Sequence, residues 1–354
     1  MNDLDSAIDH QLEVLTLAST LPNILQGGLL LNLGNSYRNR FEYSGNVKDI
    51  DSAIERHLQA VASIPLDGLS RPDYLASLGR SYQRRFIRFG EMKDIDLAIK
   101  QHLEAVNSTP LKSAKPELLI DLEQSYLMRF DHFGEMKDIN LANKVLLEAV
   151  SSTPLDRPIP PSLSDSLARS YMHRFEHSKD VKDIDLAIKL MLEAVASASP
   201  ASRVVYIDHL GTIRQCRFKV FKEVKDIDVA IEKYVESLAA KPLDRATTLN
   251  NLGDSYLYRY ESNQGPGPSD LEESISNFRL TSLCLNGMPS MRISGSLKWA
   301  RLSHKFNNFV SASEGYDQAI SLLPQVAWIG LNAIAQLKEL NSDIQKLGCN
   351  AAAV

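Results

Sequence analysis

The chain has 354 residues, 44% of them hydrophobic and 23% charged: enough apolar material for a buried core and too little charge bias for a disordered chain. Its 39 Lys and Arg against 44 Asp and Glu leave a net charge of −5, which removes the basic field that non-specific binding to nucleic acid or an anionic membrane relies on. Three scattered cysteines, Cys216, Cys284 and Cys349, form no CxxC pair, so neither a disulfide framework nor a cysteine zinc site is indicated.

At roughly 150 residues per domain the length suggests about two domains, but a recurring string sets that aside. It reads Asp49-Ile-Asp-Ser-Ala-Ile, Asp94-Ile-Asp-Leu-Ala-Ile, Asp138-Ile-Asn-Leu-Ala-Asn, Asp183-Ile-Asp-Leu-Ala-Ile and Asp226-Ile-Asp-Val-Ala-Ile, with weaker copies at Asp3 and Asp270. A repeat of this length marks an array in which each unit buries its apolar face against its neighbours. The repeats fall near 1–22, 23–66, 67–111, 112–155, 156–200, 201–243, 244–289 and 290–324, followed by a terminal capping helix and tail over 325–354.

In chain order, the acidic and polar start MNDLDSAIDH lacks the positive and apolar regions of a signal peptide and opens an amphipathic helix near Asp3 to Ser19. Each later unit reads as two helices. In the clearest, Leu75, Leu78, Gly79, Tyr82 and Phe86 form one face of a helix A, and Ile95, Ala98, Ile99, His102, Leu103 and Val106 one face of a helix B. Asp94 is expected at the N-cap of helix B, with Asp96 in its first turn, and Pro110 ends it. In the unit at 201–243, Ile213-Arg214 replaces the Ser-Tyr pair, which predicts irregular packing. Asn263-Gln-Gly-Pro-Gly-Pro268 reads as a flexible connector, and Val326 to about Leu347 as a terminal helix. No segment shows sustained strand alternation, so the class is all-α. No run reaches the ~18 apolar residues of a membrane helix, and the expectation is a soluble, cytoplasmic protein.

Leu75-x2-Leu78-Gly79-x2-Tyr82, then Ala98-x3-His102-x2-Ala105-x4-Pro110, resembles the tetratricopeptide repeat, with Leu in place of Trp. The neighbouring copies Ala53, His57, Ala60, Pro65 and Ala142, Leu146, Ala149, Pro154 repeat it, and Trp299, Leu302, Phe306, Ala312, Tyr316, Ala319 and Pro324 fit it more closely. The units exceed the usual repeat by about ten residues, an excess assigned mainly to the loop between Tyr82 and Ala98. The L-G-x-S-Y-x-x-R-F and K-D-I-D-x-A-I strings, with Leu322-Leu-Pro-Gln-Val-Ala-Trp-Ile-Gly-Leu331, resemble the expanded arrays that precede a caspase-related CHAT peptidase domain in mushroom-forming fungi. The resemblance implies a right-handed α-solenoid of antiparallel helix pairs and a protein-binding role.

Nothing points to catalysis, a cofactor or a metal. His57 and His102 share one place in successive helices B and read as packed aromatic-like positions. His173 and His177 are four apart but lack the glutamate of a HExxH site and a third ligand, and Cys216 has no histidine near it in sequence. Arg40, Arg85, Arg129, Arg174, Arg217 and Arg259 each precede Phe or Tyr late in helix A and are read as structural links to the acidic start of helix B. In the tetratricopeptide arrangement helix A lines a concave wall, and carrying that over gives a candidate groove of Asn35, Arg38, Asn39, Arg80, Gln83, Arg84, Gln124, Arg169, His173, Asp254 and Tyr258, with Leu127, Met128, Met172 and Leu257 between them. Leu31 and Ala76 stand where the chaperone-binding members place a lysine, so that specificity is not implied. The expected partner is a protein or peptide, with no nucleic acid and no membrane; the alternative role is the regulatory arm of a CHAT peptidase.

Overall fold

The computed structural model describes residues 2–18, 23–109, 115–151, 158–240, 242, 244–262 and 267–327. Among these, every regular element is a helix: α1 (Asn2–Leu17), α2 (Asn23–Ser44), α3 (Val47–Ala62), α4 (Arg71–Phe89), α5 (Met92–Asn107), α6 (Lys115–Phe133), α7 (Met136–Ser151), α8 (Pro161–Ser178), α9 (Val181–Ser197), α10 (Pro200–Phe221), α11 (Val224–Ala239), α12 (Arg245–Glu261), α13 (Pro268–Leu283), α14 (Pro289–Lys305) and α15 (Phe309–Ala327). Two compact units divide the chain, residues 1–174 and 175–354.

In the first unit α2 pairs with α3, α4 with α5 and α6 with α7, and each pair stacks on the next through α3 on α4 and α5 on α6. The even-numbered helices also touch one another, α2 on α4 and α4 on α6, forming a helix-A layer beside a helix-B layer that α1 begins. The second unit repeats this plan with α10 and α11, α12 and α13, α14 and α15. The chain is thus an all-α array of tetratricopeptide-like antiparallel helix pairs.

The apolar faces read from the sequence are the buried ones except at Leu103, which the spacing places on the buried face of helix B and which is exposed. Leu75, Leu78, Tyr82 and Phe86 of α4 and Ile95, Ala98, His102 and Ala105 of α5 are all buried. Gly79 lies so close to the His102 ring that an added Cβ would overlap it, which explains the small residue after Leu78. The large fifth-position side chain of helix B fills the space that the small residue of helix A leaves.

The structure moves the excess length. The connection within each pair is only two residues, Gly45-Asn46, Gly90-Glu91 and Gly134-Glu135 in the first unit, and helix A itself carries on seven residues beyond Tyr82 to Phe89. Gly90 ends α4 in the left-handed conformation at φ 69°, its N–H donating to Phe86 O at 2.7 Å. This is the backbone C-cap that glycine favours. Lys222 adopts the same conformation at φ 57° with no such freedom.

Helix B begins earlier than expected. Met92 starts α5 and Glu91 caps it without a side-chain bond, so Asp94 is not the N-cap but a buried first-turn residue. True side-chain caps come from Asn46 and Asp180, which accept from the N–H of Lys48 and Lys182. The Ile213-Arg214 unit is not irregular: α10 runs unbroken and packs on α11, with Ile213 fully buried. Pro324 does not end the last helix but lies within α15, so the boundary at 324 cuts a helix. Pro110, Pro154, residues 263–266, the terminal helix expected to about Leu347, and Cys349 lie outside the described residues, as do 328–354 generally.

Candidate ligand-binding face

Two sets of polar side chains repeat along helix A, and the packing separates them. The first is the arginine one turn before the helix end. Arg40 reaches Asp49 with Nη2 at 2.7 Å and Nε at 3.0 Å; Arg85 reaches Asp94 at 2.6 and 2.9 Å; Arg129 reaches Asp138 at 2.6 and 2.8 Å; Arg259 reaches Asp270 at 2.6 and 3.0 Å. Each guanidinium forks onto a buried carboxylate in its own pair, the strong bidentate geometry. The third N–H arm goes to the preceding repeat: Arg40 to Asp5 at 2.8 Å, Arg85 to Asp51 at 3.2 Å, Arg129 to Asp96 at 2.6 Å and Arg259 to Asp228 at 2.7 Å.

The recurring Asp-Ile-Asp therefore has a division of labour. Its first aspartate closes the hairpin and its second joins the next repeat. Tyr37, Tyr82, Tyr126 and Tyr256 sit under these guanidinium groups at 5.4 to 5.8 Å, adding a cation–π contact. Hydrogen bonding to the aspartates holds Arg40, Arg129 and Arg259 well above the usual arginine pKa. In α10 the arginine in place of tyrosine, Arg214, joins Arg217 on the same Asp226 carboxylate at 2.9 and 2.8 Å.

The second set is the candidate groove, and most of it is engaged between successive helices A. Arg80 donates to both oxygens of Asp121, at 3.1 and 2.7 Å, and Arg84 pairs with Glu42 at 2.7 Å. Gln83 is buried, its amide donating to Ser125 Oγ at 2.8 Å and Asp121 O at 3.3 Å. His173 Nδ1 lies 3.6 Å from Asp131. In the second unit Asp254 receives Lys298 at 2.7 Å, and Lys219 lies over the Tyr258 ring at 5.3 Å. Arg38 donates a long bond of 3.4 Å to Ser77 O. Asn35, Gln124 and Arg169 are half-buried and Asn39 is exposed. Asp121, Glu42, Asp131 and Lys298 were missed from sequence, because each is recognisable only as the partner of a residue some forty positions away.

Beneath this face runs a line of neutral polar contacts. His102 Nδ1 lies 2.8 Å from Ser125 Oγ and its Nε2 lies 3.3 Å from Ala76 O, while His57 Nδ1 lies 2.9 Å from Ser81 Oγ. A donor is needed at Nε2 to satisfy the carbonyl, so His102 carries its proton there and Nδ1 accepts from the serine. Burial pushes both histidines down to about 4, and they are neutral at pH 7.

One residue breaks the pattern. Glu123 stands where Gly34, Gly79, Gly211 and Gly253 stand, is buried, and neither carboxylate oxygen has a hydrogen-bond partner. Burial, opposed by the charge of Arg169, pushes its carboxyl up to about 8. Both amide atoms of Asn143 and the hydroxyl of Ser170 are likewise sealed without partners. Cys216 is buried 3.6 Å from Glu176, and burial holds its thiol up to about 12, far from a nucleophilic thiolate.

No family model and no curated protein matches this sequence. Among solved structures, the human IFIT1 dimer with m7Gppp-AAAA superposes with a TM-score of 0.54 at 13% identity, over 99% of this chain and 79% of that one. The same protein with PPP-AAAA gives 0.53 at 15% identity over 99% and 80%. The C-terminal part of a TPR repeat-containing protein from Cytophaga hutchinsonii gives 0.44 at 14% identity, over 86% of this chain and 99% of that one. The likeness to the IFIT1 structures is one of fold. No helix among the described residues is long and apolar enough to cross a membrane.

Proposed function

We propose that the chain is a non-catalytic binding scaffold that takes a peptide or protein segment across its helix-A layer, the concave wall of the tetratricopeptide arrangement. One observation carries this reading: the groups that build the stack recur in repeat after repeat, whereas the helix-A positions beside them change chemistry. The arginine clasp, the Leu with its small neighbour and the tyrosine are nearly constant; in the first unit the position after the tyrosine goes from Arg38 to Gln83, Leu127 and Met172, and the next from Asn39 to Arg84, Met128 and His173. A uniform frame with a varied face is how one fold serves a particular ligand. Affinity would come from a few anchors, with register set by polar groups.

A photo-crosslinking residue placed at exposed Asn39 tests this, against the same residue placed at exposed Leu58 on the helix-B layer. Adducts to a partner from position 39 and not 58 are expected; adducts from 58 alone would contradict the reading.

A second reading, supported by the L-G-x-S-Y-x-x-R-F and K-D-I-D-x-A-I strings, is that the array is the regulatory arm of a CHAT peptidase in the cytoplasm of a fungus. Sequencing the gene downstream of the codon for Val354 decides it: a peptidase reading frame in phase supports the arm, and a stop codon opposes it.

A further inference from the structure

Arg38, Arg80 and Arg84 bring three guanidinium groups together on α2 and α4. The charges of Arg80 and Arg84 both act on Arg38, as do those of Glu42 and Asp121. Those two carboxylates are already committed: Asp121 takes the fork of Arg80, and Glu42 takes Nε of Arg84. From the helix-B layer, α3 faces the group with His57, which burial keeps uncharged at neutral pH. Asp73 adds its charge at Arg80 and not at Arg38, so of the three cations Arg38 is the one with no carboxylate bonded to it.

Arg38 is half-buried, and its bond to Ser77 O at 3.4 Å accounts for one of five N–H donors. None of its nitrogens is among the sealed, unpartnered atoms, so its remaining donors open to solvent from a partly desolvated site. Desolvation, then the two neighbouring arginines, lowers its pKa, the mark of a cation short of counter-charge.

The geometry points to Arg38 as the receptor for one carboxylate of the bound segment, the side chain of an Asp or Glu. The inference rests on the groove reading and names the ligand chemistry of its first repeat. A carboxylate there would give Arg38 the bonded counter-charge that Arg80 and Arg84 already have, and would take the planar fork of the guanidinium, which arginine offers better than lysine. The next helices A favour a single anion over a string of them. The net charge of −5 and the carboxylates of Asp121 and Asp131 on the next helix A, set beside Arg80 and His173, leave no run of uncompensated cations there for a polyphosphate backbone to follow.

The test uses the full chain and a displayed library of random peptides, followed by titration of the enriched peptides against the wild type, Arg38→Gln and Arg38→Lys. Enrichment of Asp or Glu is expected, with roughly thirtyfold weaker binding to Arg38→Gln and a smaller loss for Arg38→Lys. Enriched peptides without an acidic residue, or acidic peptides that bind Arg38→Gln as well as wild type, overturn the inference and leave the groove standing. No enrichment at all defeats both. A 5′-triphosphate oligoadenylate is titrated in parallel, and saturable RNA binding lost in Arg38→Gln would replace the carboxylate by a phosphate. Should Arg38→Gln fail to fold, the Arg38 side-chain Nε–H resonance of the wild type decides: a shift on adding an acidic peptide supports the site, and none refutes it.

Discussion

Glu123 costs the folded chain a proton that its repeat neighbours never need. The folded state holds that proton up to about pH 8, whereas an ordinary glutamate releases it near 4.5, so stability falls as pH rises through this window. The loss is on the order of 3–5 kcal/mol, and Glu123→Gln should flatten the alkaline limb of a Tm-against-pH curve. The buried histidines act on the other side: the unfolded chain protonates them near 6.5 and the folded chain only near 4, so stability falls as pH drops through that range. Replacing His102 by Leu, the residue that α7 already carries at Leu146, should remove that limb's share; an unchanged slope would show the ring to be protonated in the folded state. Asn143 stands where Ile54, Ile99, Ile188 and Ile231 stand, with both amide atoms unpartnered. Asn143→Ile should therefore stabilise by about 1–3 kcal/mol in urea titration. Lys222→Gly should add about 1 kcal/mol by relieving the left-handed backbone.

At the scale of the helix pair, the arginine clasp makes a graded claim. Arg129→Ala leaves Asp138 fully buried with its fork acceptor role unfilled, a loss of about 3–5 kcal/mol. Asp96→Ala removes only the half-exposed arm of the same guanidinium and should cost under about 1 kcal/mol. Equal losses in chemical denaturation would mean that the two aspartates share one role. The regularity of these arginines is plain in the sequence, and so is the helix pairing, because both recur at fixed spacing. The true end of helix A is not. Its last turn, Ile87-Arg88-Phe89, points apolar side chains outward, 57% exposed at Ile87, so the core-facing period stops at Phe86 while the backbone continues to Gly90. Periodicity reports burial, and a helix can outlast its buried stripe. The N-cap expected at Asp94 failed for a related reason: a buried arginine partner and a cap favour the same residue type three positions apart.

Across the whole molecule, stability is spread over many small interfaces between repeats, and no single core carries it. Leu78→Ala, at a fully buried contact between α4 and its neighbours, should cost about 2–5 kcal/mol. The face that varies was legible from sequence, since its residues lie between the repeating ones; its state was not. That Arg80 and Gln83 are spent on α6 while Arg38 keeps open donors depends on side chains forty residues apart meeting across the stack. The central claim is that ligands lie along the helix-A layer. Methyl NMR of the full chain, titrated with a library-selected peptide, tests it most directly. Shifts at Met128 and Met172 of α6 and α8, with silence at Leu58, Leu103 and Leu147 on the helix-B layer, are the predicted result. Shifts confined to those three leucines would place binding on the opposite layer and contradict it.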